Sequence, residues 1–313
     1  LLDKVREQPE AVRFLERVVG GELTCPLLLV GQEGVGRKFS VLAAAKQSFS
    51  KGDANSPHIL QIDHGAHPDV TVIAPEIPGK EIGIKEVRKV IEDAYSFPSL
   101  VPSRYVIIDG ADWLSTAAAN AMLKTLEEPP KTTRFFLLAE QSSDVLPTIR
   151  SRCGLVRYQP LSEALIVEHL DQHTADPTKS LVCARLADGS VGRAIQYLGS
   201  GRLALRDQMT GLLEKGLGGD LSSLFSAVNE VSSLKLGLRF LEHLLRDLVM
   251  LPLDPTRLTN VDIVEKLGVL RSKIGERRLG RLVTNLANVK QHHRAPVNLA
   301  FHVKTYLADV FSE

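Results

Sequence analysis

The sequence predicts an α/β domain, a parallel sheet with helices on both faces, followed by a small helical domain and a larger all-α C-terminal domain. Two observations carry this. Up to Tyr158-Gln159-Pro160, short and nearly continuous apolar runs alternate with helical patterns, and beyond that point every apolar period is helical. At 313 residues the chain also exceeds ordinary single-domain size, so two or three cores are expected.

The elements follow in order. A helical pattern runs through Ala11, Phe14, Leu15 and Val18, then the apolar run Pro26 to Val30 reads as a strand. A glycine loop leads into a helical pattern from Val41 to Phe49. Further strands are expected at Val70 to Ile73, Tyr105 to Ile108 and Phe135 to Ala139, with helices around Val87 to Tyr95 and Ala117 to Leu126 between them. Asp53 to Pro57 and Pro75 to Lys80, rich in turn residues, are expected as surface loops. The first domain is placed at 1–160. A helical block at 161–201 is closed by Gly199-Ser200-Gly201, and 202–313 is helical throughout, with breaks at Gly218-Gly219, Pro252 to Pro255 and Pro296.

Composition excludes several classes. An apolar fraction of 44% with 24% charged residues is that of a globular chain. No apolar run approaches the roughly 18 residues needed to span a bilayer. No membrane association is expected, and neither a charged leader nor an apolar export segment opens the sequence. The start at Leu1 suggests a trimmed N-terminus, and a cytoplasmic location is expected. The formal net charge of +1 gives no global reason to bind nucleic acid, so any DNA contact must come from a local face or a larger assembly. Cys25, Cys153 and Cys183 are odd in number and widely spaced, which fits reduced thiols. Cys25 and Cys183 are expected as buried small residues.

Gly31-Gln32-Glu33-Gly34-Val35-Gly36 follows a buried-type strand and precedes a helix, the setting in which backbone N–H groups cradle phosphate. A working phosphate loop continues with Lys for the phosphates and Ser or Thr for Mg²⁺. Here Arg37 and Lys38 follow instead. Arg37 keeps the charge with a different shape, and Lys38 puts a cation where a metal-ligating hydroxyl belongs. A glycine turn that only tightens strand-to-helix packing is the other reading of this loop. Asp109 ends an apolar strand, the place of a Walker B acid, but Gly110 stands where the catalytic Glu would be. Asp112 could substitute as a base. Alternatively, Asp109 and Asp112 cap the following helix.

The run Ser115-Thr116-Ala117-Ala118-Ala119-Asn120-Ala121-Met122-Leu123-Lys124-Thr125-Leu126-Glu127-Glu128-Pro129-Pro130 is an alanine-rich helix with a proline stop. After it come the strand Arg134 to Ala139 and then Ser151-Arg152-Cys153. With Ala66-His67-Pro68-Asp69 and Ile82 to Arg88, these segments resemble the delta-prime family of bacterial clamp-loader subunits, of the AAA+ class. The resemblance extends through Leu186 to Ala194, similar to a lid, to Val297-Asn298-Leu299-Ala300-Phe301, similar to the end of a collar domain.

The resemblance implies an AAA+ domain at 1–160 with a degenerate nucleotide site (Gly31, Gly34, Gly36, Arg37, Lys38, Asp109), a lid at 161–201 and an oligomerising collar at 202–313. It implies a subunit of the DNA polymerase III clamp loader that hydrolyses no ATP itself. Ser151-Arg152-Cys153 would form the interface motif, with Arg152 an arginine finger reaching ATP held by a neighbouring subunit. Implied partners are the gamma/tau and delta subunits, and the sliding clamp and primed DNA through the complex. No cofactor of its own is required. The sensor position of the lid falls on Gly192, with Arg193 one step later and about 100° around the helix, so Arg193 is expected to face away from nucleotide.

Zinc is not expected: family members carry four cysteines where residues 46–69 have none. His58, His64 and His67 are expected as exposed loop residues. The alternative is an active clamp-loader ATPase, gamma/tau-like or like an archaeal small subunit, against which Arg37, Lys38 and Gly110 argue. A nucleotide-regulated helical scaffold of another class explains the helical half but not the motifs.

Overall fold

The computed structural model describes residues 1–77, 80–199, 201–218, 221–231, 233–291 and 299–311. Pro78, Gly79, Ser200, Gly219, Pro296, Val297 and Asn298, to which the sequence assigned loops, breaks and part of the terminal motif, lie outside the described residues. The chain forms two compact units, 1–162 and 163–313.

The first unit runs α1 (Pro9–Val19), β1 (Leu27–Val30), α2 (Arg37–Ser50), α3 (Pro57–Asp63), β2 (Val70–Ile73), α4 (Ile84–Tyr95), β3 (Arg104–Asp109), α5 (Thr116–Glu127), β4 (Thr133–Ala139), α6 (Pro147–Arg150) and β5 (Gly154–Arg157). The five strands are all parallel in the order β2-β3-β4-β1-β5. Because side chains alternate along a strand, the uninterrupted apolar runs serve two cores. Leu27, Leu29, Tyr105, Ile107, Phe136 and Leu138 face α1 and α2. Leu28, Val106, Ile108, Phe135 and Leu137 face α4 and α5.

Helix α5 has small residues on its inner face, and Ala118, Ala119 and Met122 are fully buried. Its N-cap is Ser115, whose Oγ accepts from the Ala118 N–H at 3.2 Å. The capping role considered for Asp109 and Asp112 therefore belongs to a serine. Ahead of α1, Glu7 accepts from the Ser162 N–H at 2.7 Å and from its hydroxyl at 2.6 Å. Gln8 exchanges two hydrogen bonds with the Gln159 backbone. The start of this unit is thus fastened to its end.

The second unit holds α7 (Glu163–Leu170), α8 (Pro177–Leu186), α9 (Val191–Gly199), α10 (Arg202–Leu217), α11 (Leu221–Glu230), α12 (Leu234–Met250), α13 (Val264–Gln291) and α14 (Leu299–Phe311). Helix α13 is interrupted at Gly275, which has φ 72° and ψ 162°. Asp247, fully buried, accepts from the N–H groups of Thr259 and Asn260 at 2.8 and 2.7 Å and so organises the turn after α12. Arg193 is buried in this unit and donates to the Ala187 carbonyl. Among the described residues no helix is long and apolar enough to cross a membrane.

Candidate functional site

The C-terminal ends of β1, β3 and β4 lie side by side, and the glycine loop, Asp109 and Glu140 follow them directly. In an open parallel sheet this edge is where ligands bind. Gly31 begins the loop under Tyr158: a Cβ at Gly31 would sit 2.7 Å from Tyr158 Cβ and 2.9 Å from its carbonyl oxygen, so no side chain fits there. Gly34 and Gly36 have φ of +80° and +98°, and Gly36 delivers the chain into α2 without a side-chain cap. The sequence motif thus has the backbone shape of a phosphate loop.

Its side chains do something else. Lys38 Nζ lies 3.4 Å from Asp109 Oδ2. The strand order sets α2 and the end of β3 on the same edge, and the lysine uses that proximity to neutralise the acid a divalent cation would need. Arg37 is only 9% exposed, and its Nη1 has no hydrogen-bond partner among the described residues. Burial pushes Arg37 below its ordinary pKa, opposed by the charges of Asp109, Glu140, Asp112 and Glu33. The carboxylates of Asp109, Glu140, Asp112 and Glu33 all act on Arg37, an acidic surrounding that disfavours a phosphate unless a metal is present. With Lys38 on Asp109, the donor set does not suit that metal.

Gly110 adds a backbone obstacle. It has φ +113°, and a Cβ there would lie 3.2 Å from Pro75 Cδ and 3.3 Å from Trp113 Cδ1. The position that would carry a catalytic Glu is therefore held in a conformation unfavourable to any side chain. Asp112, two residues on, accepts weakly from the Glu140 N–H at 3.5 Å. Burial, with Glu140 adding to it, raises its pKa.

Ser151, Arg152 and Cys153 follow α6 at a different place. Ser151 Oγ donates to the Thr148 carbonyl at 3.1 Å. Arg152 Nη1 donates to the same carbonyl at 2.9 Å, and Nη2 reaches both carboxylate oxygens of Glu127 at 3.5 Å. The Arg152 side chain is 29% exposed. It lies at the surface of its own unit, partly exposed. Burial pushes the Cys153 thiol up to about 12, with Cys25 adding to it, so it stays protonated and packs as a small side chain.

Three expectations are corrected. Cys25 is exposed, whereas Cys183 is buried as expected. His67 is buried rather than exposed. Its Nδ1 accepts from the Asp69 N–H at 3.1 Å, which leaves Nε2 as the protonated nitrogen that donates to His58 Nδ1 at 3.0 Å. Phe49 packs on His67 with ring centroids 5.1 Å apart. His58 lies on α3, half-buried, and only His64 is exposed. Among the described residues no group of three or more His, Cys, Asp or Glu side chains is placed to hold a metal.

Sequence reasoning named Asp69 only as part of a motif. The carboxylate is fully buried and accepts from the N–H groups of Ser99 and Leu100, both at 2.7 Å, with Arg104 Nη2 at 3.6 Å. It fixes the loop between α4 and β3, on which Phe97 is 90% exposed. The acid's spacing from a proline gave the only signal.

A model of the family described as DNA polymerase III, delta subunit, matches residues 7–162. DNA polymerase III subunit delta' of Escherichia coli is 31% identical over 229 residues, 72% of this chain and 68% of that protein. The Yersinia pestis subunit is 33% identical over 190 residues, covering 58% of this chain and 56% of its own length. Among solved structures, a Thermotoga maritima DNA polymerase III gamma subunit-related protein superposes with a TM-score of 0.53 at 20% identity, over 97% of this chain and 99% of that one. That likeness concerns the fold alone. By its likeness in sequence to these subunits, the chain belongs to the delta' family of DNA polymerase III subunits.

Proposed function

We propose that this clamp-loader subunit works as a non-hydrolysing member of the DNA polymerase III complex, one that helps place the sliding clamp on primed DNA. Its partners in this reading are the gamma/tau and delta subunits, in the cytoplasm, with 161–201 acting as lid and 202–313 as collar. The observation that carries the loss of hydrolysis is the Lys38–Asp109 ion pair, which sets an ammonium group beside the acid that a magnesium ion would need. No cofactor of its own is required, and ATP belongs to its neighbours.

The same reading gives Arg152 a task in trans. A guanidinium brought to the γ-phosphate of an adjacent subunit stabilises charge developing in phosphoryl transfer, an effect of roughly 10³–10⁵ in rate where such arginines have been removed. Its place on the surface, on the short turn after α6, supports this role. The experiment has two arms. The isolated chain is expected to hydrolyse no ATP above background with Mg²⁺. The complex reconstituted with Arg152→Ala is expected to lose most of its clamp- and DNA-stimulated ATPase. Magnesium-dependent turnover by the isolated chain would restore the active-ATPase reading, and an Arg152→Ala complex of normal activity would reject the finger.

A further inference from the structure

We propose that Glu127 is a latch on Arg152, holding the guanidinium on its own subunit until a phosphate group from a neighbour displaces it. This rests on the reading of Arg152 as a finger acting in trans.

The two residues meet because the fold brings rigid elements together. Glu127 ends α5, whose inner face of Ala118, Ala119 and Met122 is locked into the core. Arg152 follows α6, which is anchored by the fully buried Ile149 and by the hydrogen bond from the Arg152 N–H to the Ile149 carbonyl at 3.0 Å. The partners are 25 residues apart in sequence, so their contact is set by packing rather than by local chain geometry.

The geometry of the contact is that of a hold made to be released. Nη1 is well bonded to the Thr148 carbonyl at 2.9 Å, whereas Nη2 reaches the two Glu127 oxygens only at 3.5 Å. A charge-assisted arginine–carboxylate fork closes to about 2.7–2.9 Å. Nε is enclosed and has no partner among the described residues. The guanidinium is thus oriented through Nη1 by the Thr148 carbonyl, with Ser151 Oγ at 3.4 Å, and is loosely paired through its outer nitrogen. A phosphate offers three acceptor oxygens and a charge near −2, so it out-competes a single carboxylate at that distance, but only after Nη2 leaves Glu127.

The latch is tested in the reconstituted complex by the kcat and KM of ATP hydrolysis at low and high ionic strength, with wild type, Glu127→Gln, Glu127→Asp, Arg152→Ala and the Glu127→Gln/Arg152→Ala pair. Glu127→Gln is expected to raise kcat/KM roughly two- to fivefold at low salt, the range an exposed ion pair can supply. The gain should shrink at high salt, where screening opens the latch in the wild type as well. Glu127→Asp, whose shorter side chain keeps the charge but not the contact, should show part of that gain, and Glu127→Gln should add nothing to Arg152→Ala. Equal or lower activity of Glu127→Gln, or the same gain without Arg152, overturns the latch while leaving the finger intact. Full activity of Arg152→Ala alone removes the finger, and the latch with it.

Discussion

Returning the missing glutamate to position 110 separates backbone from chemistry. Gly110 has φ +113°, and a Cβ would enter contacts of 3.2 and 3.3 Å with ring atoms of Pro75 and Trp113. Forcing a side chain into such a conformation costs about 1–3 kcal/mol. For a unit of this size each kcal/mol lowers Tm by about 2–4 °C, so Gly110→Glu is expected to melt about 2–12 °C below wild type. The assay is built into the chain: its single tryptophan is Trp113, so tryptophan emission, excited where tyrosine does not absorb, reports unfolding of the first unit. Gly110→Ala should show most of the same loss, because the strain belongs to the backbone and the Cβ. Neither variant should hydrolyse ATP, since Lys38 still occupies Asp109. A Tm within about 1 °C of wild type would refute the conformational argument, and turnover by Gly110→Glu would refute the view that the lysine blocks metal.

Two further outcomes follow from buried and fastened groups. Asp69→Asn removes the charge that faces Arg104 in the interior and weakens two backbone bonds; a loss of about 3–5 kcal/mol is expected in urea unfolding followed by Trp113 fluorescence, and a loss below about 1 kcal/mol would contradict it. The Ser162 hydroxyl and N–H hold the Glu7 carboxylate below its usual range, so its stabilisation is present above about pH 4.5 and disappears as pH falls through the depressed value. Wild type and Glu7→Gln should therefore differ in melting temperature at pH 7 and converge once the pH has fallen through the depressed pKa; a constant gap would count against the linkage.

Much of the first unit was readable because its strands are apolar on both faces: Leu27 to Val30, Tyr105 to Ile108 and Phe135 to Ala139 leave no polar position for a competing pattern. Helix α3 was not, since its seven residues begin at the Pro57 that also closes a loop, and one short turn of apolar spacing has no period to detect. The burial of His67 was equally hidden. It depends on Phe49, distant in sequence, and on a tautomer fixed by the Asp69 N–H. For the site, the residue changes at 37, 38 and 110 were visible, but what the changes make was not. The Lys38–Asp109 pair spans two strands that are not neighbours in the sheet, and its distance follows from topology rather than from spacing. The Glu127 contact is hidden for the same reason, because either charge alone looks like an ordinary surface residue.

The alternation of β3 between two cores has a bearing on the site at its end. Ile107 belongs to one helical layer and Ile108 to the other, in register with Phe136 and Leu137. A deletion or insertion of one residue within the strand would exchange those layers and turn the terminal carboxylate toward the wrong side. The alignment of an acid with a lysine some seventy positions earlier is thus policed by greasy side chains that never touch either charge. Wherever the two cores still close, the electrostatic partnership at the rim is re-created without further instruction.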